Sequence, residues 1–205
     1  MIVLIDNGHG IETAGNMSPD GRIYEWSYTR EIARMVALEL MDHNITPVLV
    51  TPCNHNRPIS QRVKDINKIC KEAGAINCVL VSIHSNAVGR SWQKSSSGFS
   101  AFVSKNASTR SKQLATIFHS EAAADQRIKG NRSIAKDKDG LRYCTWSWKP
   151  SDIYILRNSK CPAVLTENLF MDNQEDVDYL LSMEGKQAIA KLHVNAILKY
   201  IEQYG

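Results

Sequence analysis

The chain has 205 residues, 43% hydrophobic and 22% charged, with a formal charge of +4 and a pI near 8.8. That length suits one domain with a sizeable core, so a single domain over 1–205 is expected. The charge is too weak to argue for nucleic acid and no apolar run approaches the ~20 residues of a membrane helix, so neither a nucleic-acid partner nor membrane insertion is expected.

The chain opens on IVLI (2–5), an apolar run without alternation, as expected of a strand covered on both faces. SPDG (18–21) is a turn signal, with Pro ahead of Asp-Gly. Residues 28–41 turn helical, with Ile32, Met35, Val36 and Leu40 on one face. ITPVLVT (45–51) is a second strand, and Pro47 places it at an edge or at an early position. Ile59, Val63, Ile66, Cys70 and Ala73 are spaced as an amphipathic helix, with Gly74 as its stop. CVLVSIH (78–84) reads as a central strand, 89–98 as a polar serine-rich loop, and GFSAFVS (98–104) as a partly alternating strand.

A third helix is expected over 108–124, capped by Ser108. Residues 125–150 lack periodicity and are rich in Lys and Arg, and a loop of that length is often functional. IYIL (153–156) and AVLTE (163–167) read as short strands, and a last helix runs over 184–204. Strands alternating with helices argue for one α/β domain, here a three-layer α/β/α sandwich with a mostly parallel central sheet. The five cysteines form no CxxC pair and their number is odd, so reduced, partly buried thiols are expected rather than a disulfide framework.

The chemistry gathers where strands end, as it does in open α/β sheets. His9 follows the first strand between two glycines, which allow close backbone approach. His84 ends the central strand, and Glu25 follows the SPDG turn at the start of the first helix. Two imidazoles and a carboxylate suit a catalytic zinc with one position left open. Glu167 ends a third apolar run and is placed to act as the base for an attacking water. Taken singly, each has a plainer reading: a packed histidine, a helix N-terminal acid, a carboxylate paired with an arginine.

Taken together and in order, these segments resemble the amidase_3 family of N-acetylmuramoyl-L-alanine amidases. Asp6-Asn7-Gly8-His9-Gly10 resembles the family's D-P-G-H-G-like turn, and Gly21 and Glu25 its glycine followed by a metal-binding glutamate. Ile59 and Arg62 match its patch before a helix, and Ser82-Ile83-His84-Ser85-Asn86 its S-I-H-x-N signature. Pro162, Ala163, Leu165, Glu167, Phe170 and Asn173 match its final motif. The resemblance runs from residue 2 to about 201. Asn7 stands where the family has proline, and Leu169 where it has glycine, at the expected floor of the cleft.

The resemblance implies a Zn2+ hydrolase that cuts peptidoglycan between muramic acid and L-alanine. His9, Glu25 and His84 would be its metal ligands and Glu167 its catalytic base. Asn86, Arg132, Trp146 and Trp148 are the substrate-binding candidates: the tryptophans for stacking on sugar rings, the basic loop for carboxylates of the stem peptide. The N-terminus shows no basic n-region or long apolar h-region, so cytoplasmic synthesis without a signal peptide is expected. A wall-acting enzyme of that kind resembles a phage or prophage endolysin that depends on a holin or on lysis to reach its substrate. The rival readings are a zinc carboxypeptidase acting on the stem peptide and a metal-dead wall-binding protein.

Overall fold

A computed structural model describes residues 1–129 and 153–205, with the backbone of two short paired strands at 135–136 and 142–143. Five strands form the main sheet: β1 (Ile2–Asn7), β2 (Thr46–Leu49), β3 (Cys78–Asn86), β4 (Phe99–Phe102) and, further along, β7 (Ala163–Phe170), the short pair being β5 and β6. Their order is β2-β1-β3-β7-β4, and only β4 runs antiparallel to its neighbour. β2, the strand with Pro47, sits at an edge, where its missing N–H costs no ladder bond.

The central strands are apolar on both sides because both sides are covered. Val3, Ile5, Val79, Val81 and Ile83 face one core, shared with helices α1 (Glu25–Asp42), α3 (Thr109–Ala124) and α7 (Met183–Tyr204). Leu4, Cys78, Leu80 and Leu165 alternate to the other, shared with α2 (Ile59–Ala73) and α5 (Tyr154–Asn158). The three-layer architecture follows from that alternation. Two short α-helices, α4 (Gln126–Lys129) and α6 (Gln174–Leu181), and a 3-10 turn at Ala75–Asn77 complete the described elements.

Most elements lie where the pattern places them. Ser108 caps α3 by accepting from Ser111 N–H at 3.2 Å, and Gly74 ends α2 at φ 85°. Two elements differ. IYIL is not a strand: only Ile155 and Leu156 are buried there, and α5 packs that pair against α2. Asn158 Nδ2 and Ser159 Oγ donate back to the carbonyls of Tyr154 and Ile155, so tertiary contact overrides β-propensity. α6 adds a helix where none is expected, and Asn173 is its cap, accepting from the N–H groups of Glu175 and Asp176. Cys70, Cys78 and Cys161 are buried, Cys53 is exposed, and all four are free thiols.

Candidate active site

Three side chains converge at the carboxyl ends of β1 and β3. His9 lies two residues past β1 and carries φ 61°, a left-handed conformation uncommon for a histidine. Gly8 makes the approach possible, since a Cβ there would lie 1.9 Å from Cε1 of His84. Glu25 is the first residue of α1 and is almost wholly buried. The 10–24 hairpin sets its position through an antiparallel bridge between Met17 and Tyr24 and the bond from Glu25 N–H to Asn16 O at 2.9 Å. His84 stands on β3, two residues before its end.

One Glu25 oxygen lies 2.8 Å from His84 Nδ1 and the other 3.2 Å from His9 Nε2. The N–H of Ser85 also donates to Glu25, at 3.2 Å. Ligand atoms of the three side chains all lie within 4.8 Å of one another, so among the described residues this group could hold a metal ion. Burial disfavours the charged form of His84, but the Glu25 bond and charge, with the charges of Glu167 and Asp6, outweigh it and lift its pKa to about 9. His9 moves the other way: burial lowers it, against the Glu25 charge. Burial also works against the Glu25 carboxylate, yet its bond to His84 and the charges of both histidines hold its pKa below the usual range.

Glu167 is the register partner of His84 on β7. Partners on adjacent parallel strands share a sheet face, so Glu167 stands beside the cluster, half-buried, with β7 continuing three residues beyond it. Asn86 ends β3, and its side-chain oxygen accepts from Ala87 N–H at 2.9 Å, so it shapes the loop that leaves the site. Arg132, Trp146 and Trp148 lie outside the described residues.

Several residues support the cluster through contacts that their place in a motif does not reveal. Asn16 meets His9 Nδ1 at 2.8 Å and fixes the ring that faces Glu25. On the strands that lead to the cluster, Arg62 Nη1 donates to both oxygens of buried Asp6 at 2.7 and 2.9 Å, and Ser82 Oγ donates to the same carboxylate at 2.7 Å. This ties α2 to the two strands that lead to the histidines. Arg30 donates to the carbonyls of His9 and Cys53 at 2.8 Å, clamping the first turn from α1. Asn7, where the family has proline, anchors the end of β1 by donating from Nδ2 to Thr51 O. Leu169 does not face the cleft: it is fully buried in the main core with φ 61°. The family's glycine has a backbone reason there, and here a leucine carries the strained conformation.

The Amidase_3 family, described as N-acetylmuramoyl-L-alanine amidase, matches residues 3–199. The chain belongs to the Amidase_3 family. It is 28% identical over 202 residues to an uncharacterized protein, YqiI, of Bacillus subtilis (strain 168), covering 98% of this chain and 85% of that protein. It is 25% identical to the N-acetylmuramoyl-L-alanine amidase CwlM of Bacillus licheniformis and 27% identical to the endolysin of Bacillus phage SPP1. These two matches cover 96% and 98% of this chain but 67% and 66% of the relatives. The fold matches an N-acetylmuramoyl-L-alanine amidase of Clostridium difficile 630 with a TM-score of 0.79 at 22% identity, over 100% of this Amidase_3 chain and 98% of that one. It also matches the catalytic domain of CwlV from Bacillus (Paenibacillus) polymyxa, with a TM-score of 0.76 at 23% identity over 98% of each chain.

Proposed function

We propose that this chain is a zinc-dependent N-acetylmuramoyl-L-alanine amidase, hydrolysing the amide between muramic acid and L-alanine in peptidoglycan. One observation carries the reading: ligand atoms of His9, Glu25 and His84 lie within 4.8 Å of one another, with Glu167 in register beside His84. Two imidazoles, one carboxylate and no thiolate are a donor set suited to a catalytic zinc. A zinc held there would supply Lewis acidity towards the amide carbonyl and would bring the pKa of water towards ~7. His9, Glu25 and His84 would hold it. Glu167 would accept the attacking water's proton at a carboxylate oxygen and return it to the leaving nitrogen.

Membership of the family and the likeness to a phage endolysin support a lytic role on the wall, with synthesis in the cytoplasm and access through a holin or lysis. No helix among the described residues is long and apolar enough to cross a membrane. Substrate contacts are assigned to Asn86, Arg132, Trp146 and Trp148, the last three on their sequence alone.

Mass spectrometry of peptidoglycan fragments after incubation with the zinc-loaded chain tests the reading. An amidase leaves an intact muramoyl lactate and a peptide with a free L-alanine amine. Release of a C-terminal amino acid would instead identify a stem-peptide carboxypeptidase, and binding without any product a wall-binding protein.

A further inference from the structure

Between the ligands His9 and Glu25 the chain makes a hairpin whose outer surface is apolar although it faces solvent. Ile11 is 56% exposed, Met17 42% and Tyr24 47%. With Ala14 and Trp26 they line a cavity of about 390 Å3 that has no charged side chain in its wall. That volume lies within the range of small-ligand sites, roughly 300–1,000 Å3. Solvent-facing apolar groups gathered in one place mark a contact surface rather than a core.

The hairpin is built to hold its shape. The Met17–Tyr24 bridge closes it, Ile11 N–H donates to Asn54 O at 2.9 Å, and Gly10 packs so tightly that a Cβ there would lie 2.1 Å from the backbone nitrogen of Asn56. Arg30 sits against the Trp26 ring, 5.8 Å from its centroid. Both ends of the hairpin, His9 and Glu25, belong to the cluster that the amidase reading makes its metal site, so the shelf stands on the loop that joins two of its residues.

We propose that the shelf of Ile11, Ala14, Met17, Tyr24 and Trp26 binds the neutral N-acetylmuramoyl sugar of the substrate. The proposal rests on the amidase reading and adds which half of the substrate sits here. Chemistry selects that half. The sugar offers pyranose C–H faces and the methyl groups of its acetamide and lactyl arms, which suit aromatic and aliphatic side chains. The stem peptide beyond L-alanine carries carboxylates, which call for cations. The lining of the shelf contains none: the guanidinium of Arg90 comes to its rim, beside Gly15, and that of Arg30, near the Trp26 ring, is engaged by the carbonyls of His9, Trp26 and Cys53.

The test compares the zinc-loaded full chain with the double variant Ile11→Ser, Met17→Ser, whose side chains are exposed and whose zinc content should equal that of the unsubstituted protein. Two substrates with the same stem peptide are used: N-acetylmuramoyl-peptide, and lactoyl-peptide without the sugar. N-acetylmuramic acid, blocked as its neutral methyl amide, is titrated in parallel. The variant should raise KM for the sugar-bearing substrate about tenfold, the scale of losing one or two apolar contacts. It should leave the lactoyl substrate unchanged and bind N-acetylmuramic acid about tenfold more weakly. Equal losses on both substrates, an unchanged KM on both, or no binding of N-acetylmuramic acid by the unsubstituted protein would overturn the shelf assignment. Cleavage of neither substrate by a protein that still binds N-acetylmuramic acid through Ile11 and Met17 would sink the amidase reading and leave the shelf standing.

Discussion

His84 and His193 lie on two of the elements flanking β7, and the protein pushes them in opposite directions. His84 is raised to about 9 and His193 is lowered to about 4. Burial opposes the charged ring in both. The difference lies in the partners. His84 meets the Glu25 carboxylate and feels Glu167 and Asp6. His193, on α7, meets the Ile189 carbonyl at 2.8 Å and the Thr166 hydroxyl at 2.9 Å, and packs against Phe118. Its partners are neutral, so burial wins and the ring stays uncharged. The carboxyl edge of the sheet therefore collects charge, while the layer behind it satisfies polar groups without any. The two regions meet through Asn168, whose Nδ2 donates to Thr166 Oγ1 at 3.2 Å and to the His84 carbonyl at 2.8 Å.

Removing the charge that is meant to act should give the largest effect. Glu167→Gln is isosteric but cannot accept a proton. Turnover of the zinc-loaded enzyme should fall by roughly 10²–10⁴-fold, the scale of a general base, with zinc content unchanged. Activity near that of the unsubstituted protein would mean that another group activates the water.

The neutral region makes a stability prediction of the opposite kind. The folded pKa of His193 lies below the unfolded value, so between pH 6.5 and 4 the unfolded chain binds a proton that the native state refuses. Stability attributable to this site is whole above pH 6.5 and falls as pH drops towards 4, by about 3 kcal/mol in full. In urea unfolding, His193→Gln should lose less stability than the unsubstituted protein between pH 7 and pH 4.5. Parallel losses would show that His193 does not stay neutral in the core.

A smaller effect is expected where a neutral residue supports a charged one. Asn16→Ala keeps all three ligands but frees the His9 ring, so zinc affinity should weaken about 10–100-fold in chelator competition. Asn16→Asp, which restores a partner for Nδ1, should recover most of it. An unchanged affinity in Asn16→Ala would reduce the contact to loop packing.

The place of the two clustered histidines was legible in the sequence because each ends an apolar run: IVLIDNGH and CVLVSIH stop at a histidine, as a strand reaching a sheet's carboxyl edge must. Glu167 was legible for the same reason, although its strand runs on to Phe170. The layers were legible too, since the non-alternating runs of β1 and β3 require cover on both faces. The contacts that support the cluster were not. Asn16 reaches His9 only because an irregular hairpin folds back, and a contact of that kind has no period. Asp6 lies 56 residues from Arg62 and 76 from Ser82 along the chain, and the three meet through topology alone. IYIL predicts a strand because Ile and Tyr favour one locally, whereas burial of Ile155 and Leu156 against α2 makes it α5. α6 did carry a signal, an Asn173 cap followed three residues later by Asp176, hidden in a stretch read only for its motif. The left-handed backbone at Leu169 could not be inferred from a leucine.

The central claim is that the charged edge is a metal centre and not merely a buried cluster of ion pairs. Zinc stoichiometry on the purified chain, compared among the unsubstituted protein, His84→Ala and His193→Gln, tests it most directly. One zinc per chain is expected in the unsubstituted protein and in His193→Gln, and a large loss in His84→Ala, with circular dichroism showing each variant folded. Equal zinc in all three, or none in the unsubstituted protein, would contradict the account.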